Sequence, residues 1–161
     1  MSAVRTTLFA LAIGPLLLLV AMAGGCEVRK AYYDWRLRQM CETDGGVRIS
    51  ERLIVNPNQV AHLPRVAGHL GVAPEALADP AAPAFGRLKE QVLRQGQPSM
   101  MRYEEEIVRR ADGHIVARVV TYTRAGGDFP SFAQPSLHSC PTPATLYPEI
   151  ERVFELVSAK P

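Results

Sequence analysis

Apolar residues fall into segments of different period along this chain. A single arginine, Arg5, precedes an apolar run over residues 8–23, and residues 6–25 carry no charge. Beyond it, residues 27–43 repeat at spacings of three and four through Tyr32, Trp35, Gln39 and Met40, with Val28 and Leu37 widening the apolar side. That period predicts a helix stopped by Gly45-Gly46, with Tyr32, Tyr33 and Trp35 packed in the core in preference to forming a membrane-interface belt. Residues 47–55 alternate instead, with Val47, Ile49, Glu51 and Leu53 on one side and Arg48, Ser50 and Arg52 on the other. Alternation predicts a strand, ended by Asn56-Pro57-Asn58.

Residues 62–84 are rich in alanine, proline and glycine and read as a flexible connection with one helical turn near Glu75-Ala76-Leu77. Residues 87–93 suit an edge strand or a short helix, and the strand is preferred because the next two segments form a sheet it can join. Those segments, 100–110 and 114–124, are β-rich and flank Ala111-Asp112-Gly113. A three-residue loop places Gly113 where a left-handed backbone is needed and sets Glu106 opposite Arg118 and Val108 opposite Val116. Met101, Tyr103, Ile107, Ala117, Val119 and Thr121 then share one face. Glu105 interrupts that face and needs a partner or the sheet edge. A glycine- and proline-rich loop follows, and Ile150, Val153, Phe154 and Val157 predict a closing helix over 146–157. The fold class expected is α+β: an antiparallel meander of about three to four strands packed with an N-terminal and a C-terminal helix.

The first segment bears on location. Arg5, the apolar run, Ala23-Gly24-Gly25 and then Cys26 have the layout of a lipoprotein export signal over residues 1–25, with Cys26 as the lipidated residue of a single domain, 26–161. Two other readings stay open: cleavage after Ala21-Met22-Ala23 by an ordinary signal peptidase, and an uncleaved anchor of 20 residues. All three export the domain. With Cys26 carrying lipid, Cys41 and Cys140 remain as a pair suited to an oxidising compartment, the alternative being two buried thiols.

Composition narrows the partners. Basic and acidic residues number 18 and 16, so no field strong enough to select nucleic acid arises. His138 and Cys140 lie two apart without a second ligand pair, and His62, His69 and His114 are scattered, so neither a metal nor a cofactor is expected. Glu104-Glu105-Glu106 on a strand puts neighbours on opposite faces and reads as a solvated charged surface rather than a catalytic carboxylate pair. Gly126-Gly127-Asp128 lacks the helix and lysine of a phosphate loop. One enzymatic alternative remains, an envelope hydrolase using Asp128, His138 and Glu105.

Met40-Cys41-Glu42-Thr43-Asp44-Gly45-Gly46-Val47, then Tyr122-Thr123-Arg124-Ala125-Gly126-Gly127-Asp128-Phe129-Pro130 and Ser139-Cys140-Pro141, together resemble a family of small exported proteobacterial proteins of unknown activity. The chain departs from that pattern at Ala125 and in lacking a tryptophan after Pro130. The resemblance implies export and paired cysteines, and no activity. The expectation is therefore a non-enzymatic envelope lipoprotein that binds membrane lipid through Cys26, with its domain in the periplasm and a further envelope protein as partner.

Overall fold

A computed structural model describes residues 24–128 and 135–157. The export segment before residue 24 and the Phe129-Pro130 part of the late loop lie outside the described residues. Helix α1 covers 24–44 and is followed by strands β1 (Gly46–Ile49) and β2 (Leu53–Val55), then a short helix α2 (Pro57–Ala61). A small hairpin, β3 (Arg65–Val66) and β4 (His69–Leu70), leads to three long strands, β5 (Ala84–Arg94), β6 (Ser99–Arg109) and β7 (Ile115–Ala125). Strand β8 (Leu137–Cys140), helix α3 (Pro143–Glu151) and strand β9 (Phe154–Leu156) close the fold.

Among the described residues the main sheet has five strands rather than three or four. It is antiparallel throughout, and β5, β6 and β7 form a meander. Strands β1 and β8 pair with different lengths of the same edge of β7, β1 with residues 117–120 and β8 with residues 122–125. The segment 47–55 is thus two strands, because the chain breaks at Ser50-Glu51, whose N–H groups both donate to the Val116 carbonyl. Strand β2 pairs instead with β9, in parallel. The C-terminal helix is correspondingly shorter and earlier than expected: it ends at Glu151, and Phe154 sits on a strand. Asn56, expected only to end a strand, caps α2: its side chain accepts from Gln59 N–H while the Gln59 side chain accepts from Asn56 N–H.

The central hairpin sets Glu106 opposite Arg118 and Ile107 opposite Ala117. Nearer the turn the expected register fails. Val108 faces Ile115, so Val116 is an extra residue on β7 and the connection is longer than three residues. Gly113 takes a φ of 71° as the turn requires.

The two faces of the sheet are covered at opposite ends. On one face, Ile107, Ala117 and Val119 pack with Leu53, Val55, Leu146, Ile150, Val153 and Phe154, forming the larger core beneath α3. On the other face, Met100, Val120 and Tyr122 pack against Leu37 and Cys41 of α1, with Tyr33, Met40 and Cys140 alongside. Of the helix's aromatic residues only Tyr33 packs against this core; Tyr32 and Trp35 project outward from α1.

Candidate functional site

Cys41 and Cys140 are joined by a disulfide with Cα atoms 5.9 Å apart, which ties the end of α1 to β8. Cys26 is a free, half-buried thiol near the start of the described part of α1. The three residues of the enzymatic alternative do not come together. Asp128 accepts from Lys30 Nζ and from Ser136 N–H, both at 2.6 Å, and these contacts hold its carboxyl well below the usual range. Residue 138 faces Arg124, on the α1 side of the sheet. Glu105 pairs with Val119, on the α3 side. Five strand positions separate Val119 from Arg124, about 16 Å at the usual rise, in addition to the change of face.

Much of the buried polarity holds α1 in place. Arg124 is 2% exposed; its guanidinium donates to Asp34, to the Gly126 carbonyl and, at 3.2 Å, to Ser136 Oγ. At the far end of the helix, Asp44 accepts from Tyr122 and from Arg102, and these partners lower its pKa. Arg94 donates to Tyr33 Oη at 2.9 Å and lies over its ring. The remaining histidines are accounted for by separate surface carboxylates: His62 with Asp79, His69 with Glu151 and His114 with Glu51. Among the described residues no group of three or more His, Cys, Asp or Glu side chains is placed to hold a metal ion.

Beyond the end of α1, the same face becomes cationic. Arg48, Arg118, Glu106 and Arg87 stand in one row across β1, β7, β6 and β5. Lys89 Nζ reaches Glu106 at 2.6 Å, while Arg87 and Arg118 lie 3.9 and 3.7 Å from it. Glu106 is thereby buried beneath three half-exposed cations. The adjacent Arg102 is shared by Glu104 and Asp44. Five cations against three carboxylates leave this area positive. A cleft of about 540 Å³ opens beside Arg48 and Arg118, next to His114.

The opposite face is uncovered where α3 stops. Leu88 and Val92 of β5 are 51% and 53% exposed, beside half-buried Met101 and Tyr103 of β6. Glu105 lies at the border of the covered region, packed near Gly86 and Val72, with no hydrogen-bond partner among the described residues. Desolvation alone raises its pKa above the ordinary 4.5. A raised carboxyl pKa costs stability as pH climbs from the unfolded value through the folded one, and costs nothing below both. Glu105→Gln is therefore expected to stabilise the fold by about 1 kcal/mol at pH 7 and to be neutral near pH 3. Denaturant titrations at the two pH values check this; equal effects at both exclude an ionised, unpaired Glu105.

The sequence points to Glu105 as a misfit, but not to Arg87 and Lys89, whose strand has no clear period of its own. No family model, curated protein or solved structure matches this chain.

Proposed function

We propose that this chain is an exported lipoprotein of the bacterial envelope, anchored through Cys26 with its domain in the periplasm, and that it acts by binding rather than by catalysis. The observation that carries the anchoring is an outward stripe on α1. Val28, Tyr32 and Trp35, at positions i, i+4 and i+7, are 72%, 50% and 51% exposed, on the same helix as Cys26. Aromatic rings with a polar edge settle at the headgroup level of a bilayer, so a helix lying against the membrane would use this stripe and leave the sheet clear. Among the described residues no helix is long and apolar enough to cross a membrane, and the apolar run 8–23 lies before them. Binding is favoured over catalysis by the separation of Asp128, His138 and Glu105, and by the long, ordered and uncovered strands.

The acyl chains of a bacterial lipoprotein together hold stably, at about 0.8 kcal/mol per buried CH₂. Cys26→Ser is expected to abolish lipid labelling and to release the domain or leave its precursor unprocessed. Intact-mass measurement of the membrane form decides it: a mature chain beginning at Gly24, or one retaining Met1, rules the anchor out.

A further inference from the structure

We propose that the outer edge of β5 accepts an extended protein segment alternating acidic and apolar residues, which joins the sheet as an added strand. This deepens the binding reading above by naming the partner's chemistry.

The backbone supplies the first half of the site. Gly86 N–H donates outward to the Ala73 carbonyl, and the Gly86 carbonyl accepts from Glu75 N–H. Residues 73–75 run parallel to β5 there, through a bridge between Pro74 and Gly86. They then turn away, with the Leu77 and Ala78 N–H groups donating to the Pro74 carbonyl. In an antiparallel pair the outward-directed groups recur every second residue. Leu88, Glu90 and Val92 therefore direct their N–H and C=O groups away from β6, on a stretch whose residues 87–93 are all exposed. Among the described residues the chain begins pairing along this edge and leaves three residues of it open. Proteins usually blunt such an edge, and a free one accepts a strand.

Side chains supply the second half. A strand laid beside β5 would place alternate residues next to Arg87 and Lys89 on one face and next to Leu88 and Val92 on the other. The first face carries the excess positive charge of the Arg48–Arg118–Arg87 row. The second offers Leu88 and Val92, backed on the β6 side by Met101 and Tyr103. Glu90, between Leu88 and Val92, repels acidic residues from the apolar side and so sets the phase of the alternation. A second copy of β5 is a poor occupant: the antiparallel register that stacks Leu88 on Val92 sets Glu90 against its own copy.

The test uses the full-length protein extracted from membranes in detergent and a labelled seven-residue peptide alternating valine and glutamate. Saturable binding is expected, with slowed amide exchange at residues 88, 90 and 92. A peptide with lysine replacing glutamate should bind about tenfold more weakly. Arg87→Glu with Lys89→Glu should reverse that preference. Glu90→Pro removes an outward N–H without touching the β6 ladder and should abolish binding. A backbone N-methylated peptide leaves the protein unaltered and should not bind. Equal binding of acidic and basic peptides, unimpaired binding of the N-methylated one, or pairing of β5 with its own copy in solution would overturn the proposal. Intact mass on the same sample separates the readings: a lipidated chain that ignores the peptide fails this inference alone, and an unlipidated chain that binds it fails only the anchor.

Discussion

Replacing Cys41 and Cys140 together by serine is expected to lower the stability of the domain by about 4 kcal/mol, a large share of the total for a fold this size. The bridge spans a sequence separation of 99 residues, and restriction of so long a loop in the unfolded chain is the main source of that figure. The loss is expected to be local in the native state. Without the bridge, α1 is held by one small apolar cluster and a few polar contacts, whereas β5, β6 and β7 keep long antiparallel ladders. Reduction should therefore speed amide exchange in α1 and β8 before it reaches the hairpin. Denaturant unfolding measures the total, and exchange with and without reductant measures the locality; uniform loss of protection contradicts the division.

Arg124→Ala is expected to cost about 3 kcal/mol, in the range seen when one member of a buried charge pair is removed. The substitution leaves partly buried Asp34 without its guanidinium and the Gly126 carbonyl without its donor, around a side chain that is itself 2% exposed. Arg124→Lys should recover less than half of the loss, since an ammonium cannot reach a carboxylate, a carbonyl and a hydroxyl with one planar fork. Equilibrium unfolding of the two variants is the measurement. A cost below about 1 kcal/mol for the alanine variant would mean that water replaces the guanidinium and that the network contributes little.

The features legible in advance were those whose period is uninterrupted. The spacing in α1, the length of the hairpin, Gly113 in its turn and Glu106 against Arg118 all follow from local pattern. The bulge at Val116 was hidden because Ile115, Val116 and Ala117 are all apolar, so alternation has no preferred phase there. The break at Ser50-Glu51, where two successive N–H groups share the Val116 carbonyl, is a consequence of tertiary structure. Phe154 and Val157 have helical spacing, yet pairing with β2 prevails after the turn at Arg152-Val153. At the candidate site, Glu105 was readable as a polar residue on an apolar face. The edge position of β5 was readable only as one of two options for residues 87–93, and its length was not, since the strand begins at Ala84 inside the alanine- and proline-rich segment.

The placement of β1 and β8 along one edge of β7 has a mechanical consequence. Tension applied at the start of α1 reaches Cys41 and divides there. One path crosses the sulfurs into β8; the other continues through Gly45 into β1. Each path ends in a row of hydrogen bonds to β7, entered at the adjacent ends Gly46 and Cys140, and the two rows lie end to end on the same strand. A pull on the first turn of α1 is thus shared between residues 117–120 and 122–125 of β7.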